Sequence, residues 1–444
     1  MANNRNTRSG NITKFEIFSS MSTGLIDIRA GVTELNYYED VLKNTITLTI
    51  QVTEAGIGGA NKGIIDNLPI RGGEKAHIVF EDAEGRQRKF EDDNALYVNR
   101  VRNLTKGTQR DSYFIDFCSR EFLANEQVRV CKRYDGKISD SVENILTKVT
   151  SGDVGLMVPK SKINKIDPTL IPYNFIGNEK KPLFTCTWLA SKAIPEQAGK
   201  AGASAGFLFY QTHDGFNFRS IDQIFSESYK KTFIYTNTAL KPDEYDGKIL
   251  RYDINRDIDL HNNLLIGAYS NRTIFFDYYG MNYVVRNFTP EDQEGIETGG
   301  KFPIDSVADE FRLPVSRLMS RILDIGTLPP GKSSKEELEN WKNKPDQPTF
   351  DAAQTMVQSL MRYNQLFTIQ VKLTLGGCFS LQAGDLIYCD FPTTSVDSRS
   401  KNDPNKETGG IYMIAGLCHR MTKGKTSTNL TLVRDTFGRI PFKD

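Results

Sequence analysis

Histidine is scarce in this 444-residue chain: there are four, His77, His213, His261 and His419, all far apart in sequence. No two stand at metal-ligand spacing, and a Ser-His-Asp set could arise only by assembly in space. The six cysteines, Cys118, Cys131, Cys186, Cys378, Cys389 and Cys418, lack the short paired spacings of a zinc site or a disulfide framework. Buried free thiols and folding in a reducing cytoplasm are expected. Cys418 and His419 are neighbours in an expected strand, where they point to opposite faces and cannot share a metal. There is no run of about 18 apolar residues, so no membrane-spanning helix is expected. Met1 to Lys14 is polar, which fits neither a signal peptide nor an anchor. An excess of charge is missing as well. The 56 Lys and Arg against 55 Asp and Glu leave +1, without the electrostatic footprint of a dedicated nucleic-acid binder.

What is present is strand material: 39% hydrophobic residues, 18 Tyr and 26 Phe in an otherwise ordinary globular composition. The length predicts about three domains at roughly 150 residues each. In the first hundred residues Ile46, Leu48, Ile50 and Val52 alternate with Thr47, Thr49 and Gln51. One face is buried and the other wet. Lys75 to Phe80 turns through Asp82 to Gly85 into Arg86 to Phe90, and Leu96 to Val101 and Ser112 to Cys118 add strands. With no long helix between them, these strands predict a small antiparallel barrel or sandwich.

The period changes at Ile138, where Val142, Ile145, Leu146 and Val149 share a helical face that stops near Gly152. A short helix around Trp188 and a Gly/Ala linker from Gly199 to Gly206 lead to FLFYQTHDGFNFRS, a hairpin turning at Asp214 and Gly215. A strand near Thr273 to Phe276 and an acidic loop at Glu291, Asp292, Glu294 and Glu297 follow. Two helical faces are then expected for core packing. They are Val315, Leu318, Met319, Ile322 and Leu323, then Ala353, Met356, Val357, Leu360 and Met361. From Phe367 to Leu375 alternation is strict, and Asp385 to Phe391, Ile411 to Met421 and Asn429 to Val433 complete a second expected barrel.

One segment imitates a phosphate-binding loop: GTLPPGKS, Gly326 to Ser333, fits G-x-x-x-x-G-K-[ST]. Pro329 and Pro330 remove two backbone donors from the cradle, and the expected element before it is a helix instead of a buried strand. Ser334 and Glu337 form an ordinary capping box for a following helix. A helix-to-helix loop is the reading preferred, and a nucleotide-binding enzyme is the alternative. With no G-x-S-x-G elbow and no activated-cysteine signature, no catalytic residue, cofactor ligand or metal ligand is assigned.

A resemblance runs through segments spanning most of the chain. These are LNYYEDVLKNTITLTIQV at Leu35, LPIRGGEKAHIVFEDAEG at Leu68 and YFIDFCSREFLANEQVRVCKRYDGKISDSVENIL at Tyr113. Later come FLFYQTHDGFNFRSIDQIF at Phe207, LGGCFSLQAGDLIYCDFP at Leu375 and IYMIAGLCHRMTKGKTSTNLTLVRDTFG at Ile411. In their order the chain resembles the baseplate hub family of contractile-tailed phages, and more distantly the hub part of type VI secretion spike proteins.

The resemblance implies a mainly β (α+β) fold: two antiparallel β-barrels with an inserted mixed α/β region, in a ring-forming subunit. The expected division is an N-terminal arm at 1–14, a first barrel at 15–121, a mixed domain at 122–205 and 236–364, and a second barrel at 206–235 and 365–444. Insertions at 287–303, 326–348 and 393–410 would be outward loops.

The implied role is a non-enzymatic, homotrimeric adapter between a sixfold tail tube and a threefold spike in the virion baseplate, assembled in the host cytoplasm. Implied partners are tube or tube-initiator proteins, other baseplate proteins and a separate spike protein, the last because the chain ends at Asp444 soon after its final strand. Genome DNA would pass without sequence-specific contact, and a near-neutral chain suits that passage because each phosphate contact adds drag. A monomeric carbohydrate-binding tail protein is the remaining alternative.

Overall fold

The computed structural model describes residues 8–434, apart from 19–23, 55–69, 108–109, 148, 151–152, 171, 197–204, 236–246, 257–259, 268–269, 278–280, 289–315, 323–351, 368 and 393–407. The first run is β1 (Arg8–Ser9), β2 (Asn11–Phe18), β3 (Leu25–Asp27), β4 (Val32–Asp40), β5 (Thr47–Glu54), β6 (Lys75–Glu81), β7 (Gln87–Phe90), β8 (Leu96–Lys106) and β9 (Asp111–Ser119). Next come α1 (Arg120–Gln127), β10 (Arg133–Tyr134), α2 (Ile138–Thr147), β11 (Val149–Thr150), β12 (Asp153–Val154), β13 (Ile163–Ile166), β14 (Phe175–Ile176), α3 (Pro182–Ala190), β15 (Phe207–Thr212), β16 (Gly215–Ser220) and α4 (Ile221–Phe225). The last run is β17 (Lys231–Tyr235), β18 (Lys248–Arg256), α5 (Leu260–Ile266), β19 (Asn271–Asp277), β20 (Asn282–Phe288), β21 (Leu318–Ile322), α6 (Ala352–Leu366), β22 (Ile369–Gly376), β23 (Leu386–Asp390), β24 (Gly410–Thr422) and β25 (Lys425–Arg434).

The fold is mostly β, and one sheet dominates it. Its path runs β1-β25-β22-β18-β17-β23-β24-β4-β5-β9-β8-β6-β2-β3, with β7 on β6 and a further β24–β25 ladder. That extra ladder closes β25, β22, β18, β17, β23 and β24 into a six-stranded barrel. The remaining strands continue from β4 as a curved arc, and among the described residues no ladder joins its two ends. Two closed antiparallel barrels were expected. One closed barrel is found among the described residues, and it is mixed, because β17 runs parallel to both β18 and β23. Strict alternation in β5 and β22 puts every second residue inside, as their sequences predict. The inward residues of barrel and arc merge into one apolar cluster that holds Phe15, Ile50, Phe117, Leu373 and Leu432 alike.

Several expectations change. The 207–220 hairpin belongs to no barrel. It pairs with β13, turns at His213 and Asp214, and uses Gly215 at φ +129, where a Cβ would collide with the Lys162 carbonyl. All its strand residues are buried because it is covered on both sides. Phe207, Phe209, Phe216 and Phe218 pack with α2 and α3, while Leu208 and Tyr210 pack on Met413 and Val433 outside the barrel. Without one wet face, alternation could not say which layer owned it. The strand that replaces it in the barrel is β18, which the sequence placed in the mixed region.

Strand begins at Arg8, so the expected arm of 1–14 is shorter. The expected helical face through Leu318, Met319 and Ile322 is β21, parallel to β19, while Val315 and Leu323 lie outside the described residues. Five residues satisfy either period, and pairing decided the case. Val149 pairs with Val154 as strand after α2 ends at Thr147. The second helical face holds, with Val357 and Met361 buried against Phe275. Cys118, Cys186, Cys378 and Cys389 are buried thiols as expected, whereas Cys131 is exposed. The acidic loop at 291–297, residues 326–348 and most of 199–206 lie outside the described residues.

β25 is laddered to β22 on one side and β24 on the other, and it buries Leu430, Leu432 and Val433. Truncation before Ser427 removes the closing strand, exposes two edges and strips these side chains from the core. Each lost side chain costs ~2 to 5 kcal/mol, in sum comparable with a domain's whole stability. The truncated chain is expected to be insoluble or to lose its cooperative melt, read by solubility and circular dichroism.

Candidate functional site

The place where the units meet is the loop Gly377–Asp385, within the LGGCFSLQAGDLIYCDFP segment. A buried loop needs a partner for each backbone N–H, and the three surrounding units supply them. The Cys378 N–H donates to Thr428 Oγ1 of β25 at 3.1 Å, and the Gly384 N–H donates to the Ile414 carbonyl of β24 at 2.8 Å. The Phe379 N–H donates to Asp82 Oδ2 of the arc at 3.0 Å, and Arg88 Nη2 of β7 donates to the Leu381 carbonyl at 2.8 Å. Tyr210 of the hairpin lies so close to Gly384 that a Cβ there would overlap its hydroxyl, and Gly384 takes φ +87. Only glycine serves at this position.

Glu39, at the end of β4 and 2% exposed, ties the three units with one carboxylate. Its Oε1 accepts the Tyr37 hydroxyl at 2.7 Å and the His213 backbone N–H at 2.8 Å. Its Oε2 accepts the Ala383 N–H at 2.8 Å. Beside it His419, fully buried, stacks on Tyr37 and contacts Phe379, with Nδ1 3.0 Å from Thr428 Oγ1. Burial, and then the nearby Arg88, hold this imidazole well below its ordinary pKa. It is neutral at pH 7.

The second feature is a face. Register carries one row of side chains across both halves, from Arg251 through Thr374, Asn429, Cys418 and Tyr38 to Thr47. A parallel row runs Arg420, Asn36, Thr49, Asp116 and Arg100. Residues directly opposite in antiparallel ladders share a face, so β18, β22, β25, β24, β4, β5, β9 and β8 present one continuous polar surface. Several of its charges pair within it: Arg420 with Glu34 at 3.1 Å, and Arg100 and Arg102 with Asp116 at 2.6 and 2.9 Å. The alternate positions, His419, Tyr37, Leu48, Phe117 and Val98, form the core side.

The scattered histidines come together only in part. His213 lies at the junction, with Nδ1 held by Asp214 at 3.0 Å and Nε2 accepting the Lys89 backbone N–H at 3.1 Å, the position a nucleophilic hydroxyl would need. His419 shares that neighbourhood, whereas His77 lies against Phe18 on β6 of the arc. Among the described residues no group of three His, Cys, Asp or Glu is placed to hold a metal. Gly326–Ser333 lies outside the described residues. Cys418 and His419 do face opposite ways, the thiol toward Asn36 Oδ1 and the imidazole inward. Sequence reasoning missed Glu39 and Arg88. The available signal was an acid, then a base, at inward positions of otherwise alternating strands.

No family model and no curated relative matches the chain. Solved structures do match it. The tail protein from Neisseria meningitidis MC58 aligns over 95% of this chain and 96% of its own, at TM-score 0.51 and 11% identity. The prophage MuSo2 43 kDa tail protein from Shewanella oneidensis aligns over 96% of this chain and 98% of its own, at TM-score 0.50 and 9% identity. The likeness is one of fold and runs end to end. The resemblance to baseplate hub proteins in the sequence agrees with it.

Glu39→Ala would strand three donors at about 1 to 3 kcal/mol each, so a loss of roughly 3 to 9 kcal/mol is expected in chemical denaturation. Early proteolysis within 377–385 should accompany it. Acid provides a second check. The pKa of His419 is lower in the folded chain than in the unfolded one, so below the unfolded value near 6.5 the unfolded state binds the extra proton and stability falls with pH. Asp214, lowered to about 2 by its hydrogen bond to His213, adds a second loss as pH falls from about 3.8 toward that value. Between pH 6 and 5, His419→Phe should flatten a slope of about 1.4 kcal/mol per unit in urea melts.

Proposed function

We propose that the chain is a structural subunit of a phage tail, the baseplate hub, acting as a trimeric adapter between a sixfold tube and a threefold spike. The observation that carries this reading is the weld of β24 to β4, which sets a closed barrel and a curved arc side by side in one sheet. Two such units per chain give six around a threefold axis, so three chains meet sixfold and threefold neighbours at once. In this reading the arc and the barrel are the two tube-type domains, and the α2–α3 unit with the β19–β21 sheet makes up the mixed domain.

The continuous polar face would line the channel. Arg420 pairs with Glu34, and Arg100 and Arg102 share Asp116, which lowers the free positive charge available to hold passing DNA. Tube proteins, a separate spike protein and other baseplate proteins would be the partners, in a virion tail assembled in the host cytoplasm. No catalytic step is assigned to the chain.

Light scattering on the purified chain, alone and mixed with the spike protein of the same virion, tests this. A trimer in either sample is expected. A stable dimer or a hexamer of the chain alone overturns the symmetry argument. Glu34→Lys with Asp116→Lys should leave assembly intact yet slow DNA ejection, because phosphate contacts accumulate along the lumen.

A further inference from the structure

The three-stranded sheet β20-β19-β21 lies apart from the large sheet. Its inner face packs through Phe275 on Val357 and Met361 of α6, a small core for three strands. Register places Ile322, Phe276 and Tyr283 in one row of the other face, Ile274 and Val285 in the next, and Leu318 beyond. That face is open. Tyr283 is 67% exposed, Leu318 64%, and even Val285 42%.

These side chains together expose on the order of 600 Å², the upper end of what lone chains carry and close to the ~800 Å² per partner of a stable interface. The face carries one charge, Arg272, whose Nε donates to Asn287 within the same row at 2.9 Å. An apolar centre depleted in charge is the composition of interfaces between copies that form as the chains fold, rather than of transient contacts.

We infer that the outer face of β19–β21 docks on a second copy of this chain and is a principal contact holding the oligomer together. The inference rests on the proposed hub reading for its threefold symmetry, but the contact itself can be tested separately. In a ring the contact is head-to-tail, so this face meets a different surface of the next subunit.

The experiment compares the full chain with Phe276→Glu/Tyr283→Glu and with the milder Tyr283→Ser, by light scattering and sedimentation across concentration. Circular dichroism checks that the melt is kept. The expected result is an oligomeric parent, a double variant that is monomeric with an unchanged melt, and a dissociation constant raised about a hundredfold, the size typical of losing an aromatic anchor. Tyr283→Ser, which adds no charge, should shift it in the same direction. Folded variants that stay trimeric overturn the docking inference and leave the hub reading standing. Disruption of a dimer or hexamer supports the docking surface and overturns the hub symmetry. A monomeric parent that assembles only with another tail protein, through this face, overturns the choice of a second copy.

Discussion

The ladder between β24 and β4, from Gly416 opposite Asp40 to Thr422 opposite Glu34, is the contact on which the architecture depends. Without it the chain would be a six-stranded barrel tethered to an arc with two free edges. With it the pleat runs unbroken from one to the other, and the period of two that buries Leu373 and Leu430 in the barrel also buries Leu48 and Phe117 in the arc. A slip of one residue in this ladder would put the apolar rows on the polar side. The shared core and the continuous polar face are thus two consequences of one register.

Register along a ladder does not fix the angle between two curved sheets. That task falls to the loop Gly377–Asp385 and the carboxylate of Glu39. A buried loop is costly unless its polar groups are met, and here the partners come from the arc and the barrel, while the hairpin joins through the His213 N–H on Glu39. Gly384 tolerates the close approach of Tyr210, and the neutral His419 fills the space below. The polar groups set geometry, and the surrounding aromatic rings Tyr37, Phe80, Phe90 and Phe379 supply the apolar contact.

The large strands were readable because each has one wet face. β5, β22 and the inner half of β24 alternate as their residues require, and the turns at Gly85 and Gly215 lie where glycine allows positive φ. The hairpin at 207–220 was visible as a hairpin, yet its layer was not, because it carries apolar side chains on both of its faces. β21 was misread as a helix for a related reason: Leu318 to Ile322 is too short for period to separate the two states. The parallel placement of β17 left no local mark at all, since its ladder to β23 joins residues as distant as Lys231 and Ile387.

By itself, the sequence determined the strand content, the free thiols, the charge balance and the absence of any metal-ligand spacing. These are properties of neighbouring residues, and they follow from pleat, turn and composition. Tertiary structure alone decided that β24 pairs with β4, that among the described residues one of the two strand groups closes, and that Glu39, Arg88, His213 and His419 meet at a single loop. Those contacts join residues up to several hundred positions apart, and no local period records which distant edge a strand will find.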